Sequence, residues 1–69
     1  MLVVVNGEKK DYKKSDILIT ELLEINEVKH PKMVSVQLNG EFVEREDFET
    51  TKVIENDSVD FLYFMGGGQ

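Results

Sequence analysis

The chemistry of this chain is concentrated at its end, where Gly66-Gly67-Gly68-Gln69 follows Met65. Three glycines in a row strip the backbone of Cβ atoms, so the segment is narrow and reaches positive φ without steric penalty. Fully extended, the last residues span about 15 to 18 Å, enough to thread a slim channel and present a main-chain group. The side chains offer little competing chemistry. Cysteine is absent, which excludes a thiol nucleophile, a thiolate metal site and a disulfide framework. His30, the single histidine, sits in a polar stretch with no partner and reads as a solvated loop residue. No metal-ligand spacing occurs, and Gly66 to Gly68 opens no helix, so it cannot cradle a phosphate as a P-loop does.

The chain of 69 residues allows one small core. Its net charge of −6 is unevenly placed. Residues 1 to 40 carry six acids and six bases, whereas residues 41 to 60 carry eight acids against Arg45 and Lys52. Such a surface repels phosphate backbones and anionic lipid, so neither nucleic acid nor membrane is an expected partner. A basic protein surface fits it, and solubility alone also accounts for the acids. The apolar start, Met1 to Val5, lacks a basic flank and is too short for a secretion signal or a span, which predicts a cytoplasmic protein.

The elements that must carry the tail follow from turn signals and periodicity. Leu2 to Val5 reads as a strand, and Asn6-Gly7 as a type I′ hairpin turn. The return, Glu8 to Lys14, is lysine-rich and suits a protected edge strand rather than a binding patch. Ser15 and Asp16 are N-cap types ahead of a helix over Ile17 to Asn26, with Ile19, Leu22 and Leu23 as its buried stripe. Asn26 is the expected left-handed stop, and residues 27 to 32 form a loop containing Pro31. Met33 to Leu38 alternates as a strand, and Asn39-Gly40 repeats the hairpin signal before Glu41 to Val43 returns. Glu44 to Glu49 reads as a short or helical turn and Glu55 to Ser58 as a turn cluster. Val59 to Phe64 closes the sheet.

Hairpin, helix, hairpin and closing strand predict an α+β fold of β-grasp type, a mixed sheet of four to five strands over one helix. The domain is expected over 1–65, with residues 66–69 as a flexible Gly-rich tail. Period-2 counting turns Val3, Val5, Val34, Val36, Leu38, Val59 and Phe61 toward the helix, and Leu2 and Val4 outward near Leu62 and Phe64. Those four, with Met65, form a candidate partner-binding patch beside the tail, unless the tail or a loop covers them.

The order and spacing of these motifs resemble the ubiquitin-like sulfur carriers, and among them the ThiS family of thiamine biosynthesis. The resemblance runs through Asn6-Gly7, Glu21-Leu22-Leu23, Val36-Gln37-Leu38-Asn39-Gly40-Glu41, Val43-Glu44-Arg45 with Phe48, Asn56-Asp57 with Val59, and Gly66-Gly67-Gly68. Glu44 stands where the family often has Pro, Leu18 where it often has a Thr cap, and Gln69 extends past the expected last glycine. The related molybdopterin carriers commonly carry prolines before the terminal glycines, and this chain has only Pro31.

The resemblance implies that the chain is not an enzyme and binds no cofactor of its own. An E1-like (ThiF-like) adenylating enzyme would use ATP to activate the carboxylate of Gly68, which then becomes a thiocarboxylate and donates sulfur to a thiazole synthase (ThiG-like). Physical chemistry agrees, because a terminal carboxylate is an anion at neutral pH and a poor electrophile until a leaving group is attached. Gly66 and Gly67 would supply reach. The Gly68 carboxyl is in an amide with Gln69, so either a peptidase, expected to be a dedicated metalloprotease, removes Gln69 first, or the partner adenylates Gln69 itself; the narrowness of glycine favours removal. Two other readings stay open: delivery of sulfur to an amino-acid or molybdopterin pathway, and a ubiquitin-like binding module whose tail is inert.

Overall fold

Two Asn-Gly pairs set the frame of the computed structural model, which describes residues 1–63. Asn6 (φ 52°) with Gly7 (φ 84°), and Asn39 (φ 52°) with Gly40 (φ 88°), lie in left-handed backbone, as a type I′ turn requires. The first turn joins β1 (Leu2–Val5) to β2 (Glu8–Asp11), and the second joins β4 (Val34–Leu38) to β5 (Glu41–Phe42), with a short strand β3 (Asp16–Leu18) and the helix between the two hairpins. The last described strand, β7 (Ser58–Tyr63), inserts between the hairpins. It runs parallel to β1, with Val4 beside Ser58 and Val5 beside Val59, and antiparallel to β4 from Leu38–Val59 to Val34–Tyr63. A mixed five-stranded sheet of order β2-β1-β7-β4-β5 results, with β2 on one edge as expected.

The turn asparagines also fasten that central strand. Asn6 Oδ1 accepts the Phe61 N–H at 2.8 Å, where β1 has ended, and Asn39 Oδ1 accepts the Ser58 N–H at 2.9 Å. Asn39 Nδ2 donates to Asp57 Oδ1 at 3.0 Å. One residue type thus provides both the left-handed backbone and a side-chain amide that continues the ladder.

The helix begins later than the cap residues predict. Ser15 and Asp16 do not cap it: β3 (Asp16–Leu18) pairs antiparallel with β6 (Lys52–Ile54), placing Ile17 opposite Val53, both fully buried. This two-stranded sheet lies outside the five-stranded one. The helix α1 covers Ile19–Ile25, with Leu18 as N-cap. Leucine has no acceptor to offer. The orphan N–H groups of the first turn are instead satisfied by backbone carbonyls, Ile19 to Thr51 O at 3.1 Å and Thr20 to Phe48 O at 3.2 Å. The Glu21 carboxylate reaches back to accept the Leu18 N–H at 3.0 Å, the acidic half of a capping box.

The end of the helix also differs from expectation. Asn26 adopts φ −88° and is not the left-handed stop; Glu27, at φ 56°, is. Its N–H donates to Glu24 O and the Val28 N–H to Leu23 O, each at 3.0 Å, which is the Schellman pattern with glutamate in the glycine position. Asn26 uses its side chain, donating to Leu22 O at 2.9 Å and to the Tyr12 hydroxyl at 3.3 Å. A seven-residue helix is marginal by itself, so packing holds it. Ile19, Leu22 and Leu23 are buried against Val3, Val5, Val34, Val36, Val59 and Phe61 of the sheet. Each such side chain contributes about 1.5 to 3 kcal/mol. Among the described residues no helix is long and apolar enough to cross a membrane.

Candidate functional site

Gly68 lies five positions after Tyr63 in sequence, and Tyr63 is the last residue the structure describes. The candidate acceptor Gly68, the residues Gly66 and Gly67, Gln69, and the proposed contacts Phe64 and Met65 lie outside the described residues. The site can therefore be built up to its base. Tyr63 sits opposite Val34, the first residue of β4. Val34 is preceded by a 3₁₀ turn, Pro31–Met33, and the neighbouring 3₁₀ turn Arg45–Asp47 supplies a side chain to it. Arg45 Nη1 donates to Pro31 O at 2.8 Å and Nη2 to Val34 O at 2.7 Å. The same guanidinium stands 5.4 Å from the centroid of the Phe48 ring, a cation–π contact that holds its plane. Sequence reading noted Arg45 beside Phe48 only as part of a motif; the carbonyls it serves are set by tertiary placement, and no local pattern announces them.

The outward facing of the candidate patch follows the alternation, but the register divides it. Leu2 is 38% exposed, while Val4 and Leu62 are half-buried on the face turned away from the helix. Val4 stands beside Ser58, whereas Leu62 stands four residues further along β7, beside Ser35. Four residues of strand are a rise of about 13 Å, so Leu2 and Val4 are not neighbours of Leu62. Facing is dictated by period 2 and is readable locally; adjacency depends on the parallel register, which Asn6 and the Asn56-Asp57 turn determine. Phe42 was missed. It pairs with Gln37, shares the outward face with Asp60 and Leu62, and is 60% exposed. Continuing the alternation through the Asn39-Gly40 turn would have found it.

No rival chemistry appears elsewhere among the described residues. No group of three or more His, Asp or Glu side chains is placed to hold a metal. His30 is exposed, as expected of a solvated loop residue. A groove of about 400 Å³ between α1 and the 3₁₀ turn at Arg45 is lined largely by the apolar surface of Leu23, Val28, Pro31 and Phe48, with Thr20, Glu24, Lys32 and Glu49 also on its walls. Glu21 has a carboxyl that titrates below its ordinary value because it accepts the Leu18 N–H and then because Lys14 lies 3.4 Å away. That is a helix-terminal role.

Comparison with known proteins bears on the whole chain. A crystal structure described as that of the thiamine biosynthesis protein ThiS from Geobacter metallireducens is 45% identical, covers 99% of this chain and 100% of its own, and superposes with a TM-score of 0.90. A solution NMR structure of a thiamine biosynthesis protein from the same organism is 44% identical, covers 100% of this chain and 90% of its own, and gives 0.79. No match is found among curated proteins. The family model described as the ThiS family matches residues 3–68, beginning in β1 and ending on the third glycine with Gln69 outside. With a mixed five-stranded sheet, one helix on its inner face and this match along nearly its full length, the chain belongs to the ThiS family.

Proposed function

We propose that this chain is a sulfur carrier for thiamine biosynthesis, carrying sulfur as a thiocarboxylate on Gly68. The observation that supports the reading most directly is the family match, which continues through the glycines and stops at Gly68, together with 45% identity to a structure described as a thiamine biosynthesis protein. The chemistry asks little of the domain. A carboxylate oxygen of Gly68 attacks the α-phosphorus of ATP on an E1-like partner, pyrophosphate leaves, and an acyl-adenylate forms. A sulfur nucleophile then attacks the carbonyl carbon and AMP leaves with the C–O electron pair. Glycine leaves that carbon open to approach, since no Cβ flanks it. The partner provides the catalytic groups and the ATP site, and this domain provides recognition and reach. A thiazole synthase is the acceptor of the sulfur.

Gln69 blocks the first step, because an amide carbonyl presents no carboxylate to ATP. Hydrolysis of the Gly68–Gln69 bond must come first, and a dedicated metalloprotease would stop there where a nonspecific exopeptidase would continue into the glycines. Full-length chain and a form ending at Gly68 are each supplied with the E1-like enzyme and ATP, and pyrophosphate exchange is compared. Exchange is expected only with the shorter form. Equal rates would reject trimming. Adding a sulfur source and weighing the intact protein tests the carrier reading itself: without replacement of oxygen by sulfur in the shorter form, the chain acts as a binding module instead.

A further inference from the structure

Asn6-Gly7 and Asn39-Gly40 place one dipeptide in two closely matched settings. Each is followed by glutamate, each lies exposed in a two-residue turn, and the backbones agree, with φ 52° and 84° in the first and 52° and 88° in the second. Both side-chain carbonyls accept an N–H of β7, Asn6 Oδ1 from Phe61 at 2.8 Å and Asn39 Oδ1 from Ser58 at 2.9 Å. The amide nitrogens differ. Asn39 Nδ2 donates to Asp57 Oδ1 at 3.0 Å, and the other oxygen of that carboxylate accepts the Ile54 N–H at 2.9 Å. Among the described residues Asn6 Nδ2 has no partner.

An asparagine ahead of glycine is open to deamidation, because no Cβ shields the glycine nitrogen. That nitrogen gives up its proton and bonds to the asparagine Cγ, ammonia leaves with the Cγ–Nδ2 electron pair and the proton, and water opens the cyclic imide to aspartate or isoaspartate. A backbone N–H on Oδ1 favours the attack, since it stabilises the charge that develops on that oxygen. A carboxylate on Nδ2 opposes it, by fixing the plane of the carboxamide and holding the nitrogen that must leave. We propose that Asp57 guards Asn39-Gly40, so that spontaneous deamidation of the folded chain falls on Asn6-Gly7. The same contact decides what each aspartate product does. An aspartate at position 6 still accepts the Phe61 N–H, whereas one at position 39 sets an oxygen against Asp57 Oδ1 where a donor stood. The guarded turn is the one whose conversion β7 tolerates less.

To test this, the full chain is held folded at mildly alkaline pH, and trypsin then releases residues 1–9 and 33–45, in which mass spectrometry follows Asn6 and Asn39 separately. Conversion at Asn6 is expected to run about tenfold faster than at Asn39, the worth of one charge-assisted hydrogen bond. In urea the two rates should meet, because the local sequences nearly match. Asp57→Asn has one side-chain oxygen, which the Ile54 N–H takes, and should bring Asn39 up to the rate of Asn6. Stability gives a second reading that needs no ageing of the sample. Asn39→Asp is expected to raise the unfolding equilibrium constant about tenfold, and Asn6→Asp to change it by no more than about twofold. Adding Asp57→Asn to Asn39→Asp should recover most of the loss, since one amide again faces one carboxylate with the roles exchanged. Equal conversion at the two sites of the folded wild type, an Asn39 rate indifferent to Asp57→Asn, or a double variant no more stable than Asn39→Asp alone would overturn the proposal.

Discussion

Glu27 occupies the left-handed position that ends α1, at φ 56°. A side chain there costs about 1 to 2 kcal/mol, offset in part because glycine would have more freedom to lose on folding. Its carboxylate also sits at the negative end of the helix. Glu27→Gly is therefore expected to raise stability by about 0.5 to 1 kcal/mol, read from the midpoint of urea unfolding. The other left-handed non-glycine residues, Asn6, Asn39 and Asn56, are of the type that tolerates this backbone. That difference explains what could be read from residue types. Asn6-Gly7 and Asn39-Gly40 declare their turns locally, whereas Glu27 is forced positive by hydrogen bonds to carbonyls one turn back, and nothing in glutamate signals it. The reading of the tail as a functional glycine run falls on residues outside the described ones.

At the scale of elements, the start of the helix was obscured by a competing pairing. Ser15 and Asp16 look like caps, yet Ile17 is worth more buried opposite Val53 in a strand than on the first turn of so short a helix. Only residues 48 to 53, distant in sequence, decide this, because they supply both the strand partner and the carbonyls that receive the first helical N–H groups. With Leu18 as N-cap, the polar part of the cap falls to Glu21, and this has a pH consequence. Its carboxyl, accepting the Leu18 N–H with Lys14 nearby, has a folded pKa below the ordinary 4.5. The folded state therefore favours the anion, and the associated stability is present above pH 4.5 and is lost as pH falls through the lower folded value. Thermal unfolding of wild type and Glu21→Gln from pH 6 down to pH 3 should show this: the gap between their melting temperatures narrows on acidification, since the neutral amide has no charge to lose. A constant gap would mean that Glu21 contributes nothing through its charge.

Seen as a whole, the molecule keeps its expected architecture but separates what alternation alone had grouped. The outward facing of Leu2, Val4 and Leu62 was readable from period 2, while distances along the face needed the register of β1 against β7. Under the function proposed above, Leu62→Ser is expected to weaken binding to the proposed E1-like partner by about 2 kcal/mol, the cost of truncating an apolar anchor, and Leu2→Ser, some six residues of strand away, to leave it unchanged. Titration of both variants checks this, and equal losses would show that the contact spans the sheet. The parallel pairing of the first and last described strands reaches further still. Val4 and Ser58 are neighbours in the sheet but 54 positions apart in sequence (58 − 4), and β7 is the sole bridge between the two hairpins. Long-range closure of this kind is slow, placing folding toward the millisecond end for so small a chain. During synthesis the two hairpins must wait, unjoined, until β7 emerges, so an interrupted chain cannot fold and stays open to proteolysis. Only molecules that have been made at least as far as the segment leading into the glycines survive to meet a partner.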